Sequence, residues 1–246
     1  MTTFAVLADI HGNRWALEAV LEDLARTPGA AIINLGDTLW GALDPAGTAD
    51  TLMRLPARHV RGNTDREMLE HTGARSTTDA HSLAALTGPR RAWLAAHEPP
   101  FVVGEVLACH GTPAHDDVSL IEEIAAGSVR RRNGFETGAV LGPVPAPVTL
   151  VLCGHTHVPG IVQVPGGPLV VNPGSVGLPA YSHDVPCPHR MESGAPHARY
   201  ALVRRDRRGW DVDLRAVAYD WEAAARCAAE VGRRDWAHQL RTGHVA

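Results

Sequence analysis

The stretch FAVLADIHGN, residues 4–13, decides the predicted fold of this chain. Residues 4–8 form an uninterrupted apolar run, which is typical of a β-strand that is covered on both faces. Asp9 and His11 follow with a spacing of two, so both side chains can point the same way from the end of the strand. Apolar residues then recur with the 3.6-residue period of an amphipathic helix, which predicts a helix over residues 14–26.

The same alternation of strand and helix continues downstream. Strands predicted at residues 31–35 and 57–61, with a helix at 48–55 between them, indicate a layered α/β core. Further strands are predicted at residues 101–103, 105–109, 148–153, 161–164, 169–171, 199–205 and 210–216. Further helices are predicted at residues 65–70, 79–86, 89–97, 117–126, 221–230 and 233–240.

Domain organisation follows from the absence of a recognisable linker between these predicted elements. We expect one domain, residues 1–246, with helical or loop insertions at 66–98 and 112–147 and a loop insertion at 178–198. The loops at 38–47, 66–98, 112–147 and 178–198 are expected to supply the pocket walls.

Polar side chains with metal-binding chemistry follow five of the apolar runs. They are Asp9, His11, Asp37, Asn63, His110, His155 and His157. Groups at the ends of several strands can converge at one rim of a sheet. Two aspartates, one asparagine and four histidines suit two divalent cations of the Mn, Fe or Zn type. Two cations about 3.5–4 Å apart are the usual machinery of phosphate-ester hydrolysis.

Each of these motifs has an ordinary structural explanation when it is taken alone. Asp9-Ile10-His11 could be a polar pair at a turn, and Asp37 after Gly36 could form an Asx-turn. His110 could be a buried histidine with satisfied hydrogen bonds. Gly154-His155-Thr156-His157 is the sharpest single piece, and the agreement of all the motifs in order is stronger than any one of them.

Composition excludes several classes of function. The chain has 246 residues, 45% hydrophobic and 20% charged, with a net charge of −4, so nothing favours a general nucleic-acid surface. Arg130-Arg131-Arg132 is read as a solvated run, with a phosphate-steering patch as the alternative. All 23 basic residues are arginine, which excludes a P-loop lysine or a Schiff-base lysine.

Cysteine usage and apolar patterning indicate the compartment. The four cysteines form no C-x-x-C pair, and Cys109 and Cys153 are expected to be packed thiols. The N-terminal residues lack the pattern of a signal peptide, and no apolar stretch reaches about 18 residues, the minimum for a membrane span. We therefore expect a cytoplasmic protein without a membrane partner.

In combination, the motifs resemble those of the calcineurin-like metallophosphoesterase superfamily, in its small bacterial phosphodiesterase-like branch. The matching segments are Asp9–Asn13, Gly36-Asp37, Arg61–Asp65, His110–Pro113, Gly154–His157 and Asn172–Gly177. The resemblance covers about residues 4–220. It implies an α/β fold, a four-layer αββα sandwich with two mixed β-sheets.

The resemblance also implies how the ligands are shared between two metals. One metal would take Asp9, His11, Asp37 and His157, and the second would take Asp37, Asn63, His110 and His155. Asp37 would bridge them, and Asp37, Asn63 and His110 would be the catalytic residues. A hydroxide that bridges the metals would be the nucleophile. Mn²⁺ is the expected ion, with Fe, Zn, Ni and Mg as alternatives.

Substrate contacts are expected from Asn63, Arg14 and Arg61, which lie beside the ligand motifs. The two arginines could instead be solvated or cap a helix. The expected partner is a small phosphate ester, and the oligomeric state is left open.

One departure from the family pattern concerns the leaving group. Many relatives carry a histidine between the asparagine and the acidic residue of the third motif, whereas this chain has Thr64. A threonine hydroxyl is a poor acid, so a general-acid contribution of about 10²–10⁴-fold would be missing. This favours phosphodiesters or activated esters over alkyl monoesters. Asp65 is then expected to be mainly an N-cap.

Residues 181–197 hold His183, Asp184, Cys187, His189 and His197, and this segment is longer than the family pattern needs. It is read as a surface loop, with a substrate lid or a soft-metal site as alternatives.

The function expected from these observations is a dinuclear metal-dependent phosphoesterase, specifically a phosphodiesterase. One alternative is a phosphatase for phosphoprotein, nucleotide or dinucleoside polyphosphate substrates. A second alternative is a non-catalytic binding scaffold on the same fold. A zinc peptidase is disfavoured because no H-E-x-x-H motif is present.

Overall fold

Two five-stranded sheets form the centre of the computed structural model, which describes residues 2–71, 73–125 and 127–246. The strands of the two sheets are β1 (Thr3–Leu7), β2 (Ala31–Asn34), β3 (Ala57–His59), β4 (Phe101–Val103), β5 (Val106–Ala108), β8 (Leu150–Leu152), β9 (Gly160–Gln163), β10 (Leu169–Asn172), β13 (Ala198–Arg205) and β14 (Trp210–Val217). Two hairpins lie outside these sheets, β6 (Glu122–Ala125) with β7 (Ser128–Arg131) and β11 (Ala180–His183) with β12 (His189–Glu192).

Helices cover the sheets and connect the strands. They are α1 (Arg14–Leu24), α2 (Pro45–Leu52), α3 (Asn63–Glu70), α4 (Thr77–Ala85), α5 (Gly88–Ala95), α6 (Gly134–Leu141), α7 (Trp221–Glu230) and α8 (Arg234–Thr242). Asn13 is the N-cap of α1, because its side chain accepts a hydrogen bond from the Ala16 amide at 3.1 Å. Among the residues that the structure describes, no helix combines the length and hydrophobicity needed to cross a bilayer.

Both sheets are mixed. The first has the order β14-β13-β1-β2-β3, with β1, β2 and β3 parallel and the β1–β13 and β13–β14 pairs antiparallel. The second has the order β4-β5-β8-β10-β9, with β5, β8 and β10 parallel and both edge pairs antiparallel. In the second sheet the parallel strands lie in the middle, whereas in the first they run from the central strand β1 to the edge strand β3.

The hydrophobic core consists of three interfaces between four layers, so the fold is a four-layer sandwich. Alternate residues of both sheets, such as Val6 and Leu152, fill the space between the sheets. The other face of the first sheet packs on α1 through residues such as Leu7 and Leu17. The outer face of the second sheet is covered by residues that include Leu141 of α6. The predicted α/β sandwich with two mixed sheets is confirmed.

Two sequence predictions about the insertions are wrong. The predicted helix at residues 117–126 is a turn followed by β6, and Ala126 lies outside the described residues. Its apolar residues mimic a helical period, but Gly127, with φ of 76°, turns the chain into a hairpin with β7. The predicted loop at 178–198 contains the β11–β12 hairpin instead, while the 66–98 insertion carries α4, α5 and most of α3 as expected.

Candidate metal centre

The candidate ligands follow the carboxyl ends of parallel strands in both sheets. In the first sheet, Asp9 and His11 come after β1, Asp37 after β2 and Asn63 after β3. In the second sheet, His110 follows β5, and His155 and His157 follow β8. Backbone hydrogen bonds join neighbouring loops, with the Asp9 amide 3.0 Å from the Gly36 carbonyl oxygen. The packed sheets therefore place all seven ligand-bearing positions at one edge of the sandwich.

Backbone carbonyl groups orient three of the four imidazole rings. In each ring Nδ1 donates to a carbonyl oxygen: His11 to Trp40 at 2.8 Å, His110 to Leu35 at 2.8 Å and His157 to Leu178 at 2.7 Å. Because a carbonyl oxygen only accepts, the proton is on Nδ1, and in the neutral ring Nε2 keeps a free lone pair. Such hydrogen bonds are the usual way in which proteins orient metal-binding histidines.

The free ligand atoms converge in two groups. His11 Nε2 lies 3.1 Å from His157 Nε2, and His157 Nε2 lies 3.6 Å from Asp9 Oδ1. Asn63 Oδ1 lies 3.1 Å from both His110 Nε2 and His155 Nδ1. His155 therefore presents the opposite ring nitrogen from the other three histidines.

Asp37 lies between the two groups and faces each with a different oxygen. Its Oδ2 is 3.8 Å from His11 Nε2, and its Oδ1 is 3.4 Å from His110 Nε2. A carboxylate in this position can give one oxygen to each of two cations. The geometry matches the bridging role that the family resemblance implies.

The donor set fits a pair of divalent cations. Nε2 of His11 lies 3.1 Å from Nε2 of His157. Each ring already donates a hydrogen bond through Nδ1, so in neutral rings both Nε2 atoms carry a lone pair and no proton is available to bridge them. Asp9 is fully buried, and its Oδ2 has no hydrogen-bond partner. A cation between the two ring nitrogens and the Asp9 carboxylate would satisfy the facing lone pairs, and imidazole with carboxylate and amide oxygen suits Mn, Fe or Zn.

Backbone conformation singles out the same residues. The non-glycine residues with positive φ in the described chain are Asp9 (54°), His11 (50°), Asp37 (54°), His155 (71°) and His157 (61°). The left-handed region costs an ordinary residue about 1–2 kcal/mol, and strain of this kind concentrates at functional sites. Five of the seven candidate ligands are therefore held in a conformation that local propensity disfavours.

Burial and charge shift the pKa values of the ligands in opposite directions. Burial raises the pKa of Asp9 to about 8, although His110 opposes this effect. Burial would also raise the pKa of Asp37, but the adjacent His110 brings it below its ordinary value. His110 itself, despite burial, has a pKa raised to about 10 by Asp37 and Asp9. Burial lowers the pKa of His155 to about 4 and also lowers the pKa values of His11 and His157.

Glycine is required next to the bridging carboxylate. A Cβ atom on Gly62 would lie 2.2 Å from Asp37 Oδ1 and 2.4 Å from the Asp37 backbone nitrogen. The Gly36 and Gly62 backbones are also in close contact, since a Cβ on Gly36 would lie 2.5 Å from the Gly62 nitrogen. The glycines in these two motifs therefore allow the two ligand loops to approach each other.

Asp65 joins these two loops, which corrects its expected role. Helix α3 begins at Asn63 with Gly62 as N-cap, so Asp65 is the third residue of the helix and not its cap. Its buried carboxylate accepts hydrogen bonds from the Gly62 amide at 3.1 Å and from the Thr38 amide at 2.9 Å. One side chain therefore connects the loop that carries Asp37 with the loop that carries Asn63.

A cavity of about 650 Å³ opens over the ligands, well within the ~300–1,000 Å³ that is typical of small-molecule sites. It is lined by His11, Asp37, Asn63, His155 and His157 together with Trp40, Thr64, Glu67, Asp117, Val118, Ser119, Glu122, Ile124, Arg132, Leu178, Tyr181, Ser182, His183, Val185, Pro186, His189, Arg233, Asp235, Trp236 and Gln239. The four expected loops all contribute. Helix α8 also contributes, and nothing in its sequence resembles a functional motif.

Arg14 and Arg61, the expected phosphate contacts, do not line this cavity. Arg14 is the first residue of α1, and its Nε lies 2.8 Å from an oxygen of Asp44, the N-cap of α2. The Arg61 backbone amide donates to the Glu98 carbonyl at 2.8 Å. Proximity in sequence to a ligand did not predict which arginines reach the cavity, because the chain turns sharply at each strand end.

The 181–197 segment contributes a cavity wall that sequence reasoning only partly anticipated. The Tyr181 ring packs on the His157 ring, with centroids 4.6 Å apart, and its hydroxyl donates to the His155 carbonyl at 3.3 Å. His189 and His183 continue along the same hairpin and also line the cavity. A long insertion that contains three histidines was the sequence signal for this wall.

Comparison with known proteins agrees with this architecture. The family model of the calcineurin-like phosphoesterase superfamily domain matches residues 2–187. A metallophosphoesterase structure from Sphaerobacter thermophilus is similar over 98% of this chain and 99% of the other, with 22% identity and a TM-score of 0.76.

A candidate diadenosine tetraphosphatase is similar over 88% of this chain and 94% of the other, with 19% identity and a TM-score of 0.54. No curated protein sequence matches the chain. With a family model that matches from β1 to β11 and a shared fold, this chain belongs to the calcineurin-like phosphoesterase superfamily.

Proposed function

We propose that this protein is a phosphodiesterase that uses two divalent cations, with Mn²⁺ as the preferred ion and water as the nucleophile. The observation that carries this proposal is the convergence of six ligand atoms in two groups, with one oxygen of Asp37 directed at each. When bound, the two cations would lower the pKa of a water molecule and offset the charge of the phosphate.

The side chains near the site support water rather than a protein nucleophile. Ser175 is buried, and its hydroxyl donates to the Asp9 carbonyl at 2.7 Å. Burial raises the pKa of the Cys109 thiol to about 12, so a thiolate does not form at neutral pH. The nucleophile is therefore assigned to water.

Thr64 supports a preference for activated esters over alkyl monoesters. It lines the cavity, its amide donates to Asp37 Oδ1 at 3.0 Å, and its buried hydroxyl has no hydrogen-bond partner. A hydroxyl there can donate a hydrogen bond to the substrate but does not release a proton near pH 7. Esters with good leaving groups are therefore hydrolysed faster than alkyl monoesters, for which leaving-group protonation matters most.

A Mn²⁺-supplemented assay tests the proposal by comparing bis(4-nitrophenyl) phosphate with 4-nitrophenyl phosphate. We expect faster hydrolysis of the diester, about two bound Mn²⁺ ions per chain, and loss of both in Asp37→Ala. The matched control is Asp184→Ala, because Asp184 is exposed and outside the cavity lining. This variant is expected to retain metal and activity.

Two other outcomes identify the alternatives. Much faster hydrolysis of the monoester contradicts the diester preference and favours a phosphatase. A metal-poor protein that stays inactive after Mn²⁺ loading contradicts the enzyme and favours a binding scaffold. Metal content, measured by mass spectrometry, separates these two outcomes.

A further inference from the structure

The arginine run at residues 130–132 is divided between the protein surface and the cavity. Arg130 is exposed and binds both oxygens of Glu136, at 2.9 and 2.8 Å. Arg131 is also exposed, and its Nη2 lies 3.3 Å from Glu122 Oε1. Arg132 instead lines the cavity over the candidate metal centre. The interpretation as a solvated run therefore describes the first two arginines but not the third.

Backbone carbonyl groups hold one end of the Arg132 guanidinium. Its Nη1 donates to the carbonyl oxygens of Ser119, Leu120 and Glu122. These acceptors are neutral, so they fix the position of the guanidinium without neutralising its charge. Burial lowers the pKa of Arg132, because a charge that loses water is less stable. An arginine nevertheless stays protonated in a protein, so a bound anion would offset this loss of hydration.

The opposite edge of the Arg132 guanidinium is free. Among the described residues, Nε and Nη2 have no hydrogen-bond partner, and both keep accessible surface. This edge binds carboxylates elsewhere in the chain. Arg66 uses it on Asp116 at 2.7 and 3.1 Å, and Arg90 uses it on Asp50 at 2.9 and 2.8 Å. Arg132 therefore has a fixed two-nitrogen fork that can still take an oxyanion.

The other charged groups of the cavity do not occupy this fork. Arg233, the second arginine of the lining, is bound to Asp235 at 2.9 and 2.6 Å. Glu67 is paired with an arginine outside the lining. Among the described residues Asp117 forms no ion pair, so it does not neutralise Arg132. Because the chain lacks lysine, Arg132 is the available side-chain cation of the described lining.

We propose that Arg132 binds a second phosphate group of the substrate while the metal centre holds the phosphodiester that is cleaved. This assignment rests on the proposed phosphodiesterase function. A phosphate monoester carries about −1.5 to −2 charges at pH 7 and can give one oxygen to each nitrogen of the fork. Its attraction to the guanidinium therefore exceeds that of a carboxylate at the same distance. The substrate class is a phosphodiester whose organic group carries a further phosphate.

Equilibrium dialysis with Mn²⁺ in excess tests this assignment with phosphonates, which the enzyme does not hydrolyse. Alkane bisphosphonates, with one phosphonate at each end of three to six methylene groups, are compared with alkylphosphonates of the same chain length. The series of flexible chains covers a range of separations between the two sites. Hydrolysis of bis(4-nitrophenyl) phosphate is measured on the same protein.

Two variants of Arg132 and one control are compared with the wild type. Arg132→Gln removes the charge and the fork. Arg132→Lys keeps the charge and a donor for the carbonyl groups but lacks the fork. Arg207→Gln is the matched control, because Arg207 is exposed and outside the cavity lining. Urea unfolding shows which variants fold, and Arg132→Lys decides the question if Arg132→Gln does not.

In the wild type, at least one bisphosphonate is expected to bind about tenfold or more tightly than its monophosphonate, since hydrogen bonds between charged groups are the strong ones. Arg132→Gln should reduce that ratio about tenfold, and Arg132→Lys should reduce it about threefold or more. Arg207→Gln should leave the ratio unchanged. General damage to the metal centre would lower both affinities and leave their ratio intact.

Equal wild-type affinity for the two kinds of ligand at every chain length would overturn the role of Arg132. An unchanged ratio in the folded Arg132 variants would overturn it as well. Hydrolysis of bis(4-nitrophenyl) phosphate alongside either result would leave the proposed function standing. A bisphosphonate preference that depends on Arg132, without hydrolysis of any ester, would contradict the proposed function and support the binding assignment.

Discussion

Replacing Asp65 by asparagine is expected to weaken the connection between the two ligand loops. The carboxylate accepts hydrogen bonds from the Thr38 amide at 2.9 Å, the Gly62 amide at 3.1 Å and the Thr38 hydroxyl at 3.3 Å. Asparagine keeps one acceptor oxygen, but its NH₂ group must then face a buried N–H donor. An unpaired buried donor costs about 1–3 kcal/mol, and the remaining bond loses its charge assistance, so we expect a loss of about 2–4 kcal/mol.

Urea and thermal unfolding of the metal-free protein measure this loss. For a chain of this size, about 3 kcal/mol corresponds to a fall in Tm of about 6–12 °C. The control is Asp184→Asn, an exposed position where the change should stay within about 0.5 kcal/mol. An Asp65→Asn variant as stable as this control would refute the idea that Asp65 holds the two loops together. Mn²⁺ affinity, measured by titration, should fall in parallel, because the Asp37 and Asn63 loops would no longer be held in register.

Three further predictions concern the cavity. In the folded protein the pKa of Glu122 is about 6, above the ordinary value of 4.5, so ionisation destabilises the fold as the pH rises from about 4.5 to about 6. Over this range the wild type should lose about 2 kcal/mol of unfolding free energy relative to Glu122→Gln. Urea denaturation at a series of pH values measures this loss. Gly62→Ala should displace an oxygen of Asp37 and lower Mn²⁺ affinity by about 10–100-fold in titrations, whereas Gly73→Ala, with nothing within 4 Å of the new Cβ, should not. Tyr181→Ala should reduce Mn²⁺ affinity about tenfold, because it removes the ring that packs on the imidazole of His157. Tyr181→Phe keeps the ring, so its Mn²⁺ affinity should stay within about threefold of the wild type. Equal losses of affinity in the two variants would show that ring packing is not the cause.

The ligand positions could be predicted from sequence because each ligand directly follows an apolar run. Parallel strands such as β1 and β2 bring their carboxyl ends to a common edge, so the pattern of runs was enough to predict that Asp9 and Asp37 meet. The orientation of the rings could not be predicted in the same way. His11 donates to the Trp40 carbonyl, and that contact depends on a loop whose path has no periodic signal.

The cavity walls were harder to predict, because they depend on contacts between distant segments. Trp236 and Gln239 reach the site from the last helix, and only the packing of α8 places them there. Arg14 was expected at the phosphate, but it binds Asp44, a pairing that depends on how α1 and α2 pack together. The β6–β7 hairpin was taken for a helix because its short apolar run fits both periods.

The left-handed backbone at five of the candidate ligands has an evolutionary consequence. Glycine occupies that region at little cost, and asparagine at less cost than most residues. Exchange for glycine would relieve about 1–2 kcal/mol of backbone strain at each position in a descendant freed from the need for cations. The gain is net only where the side chain contributes less than that to packing, which excludes His157 because its ring packs on Tyr181.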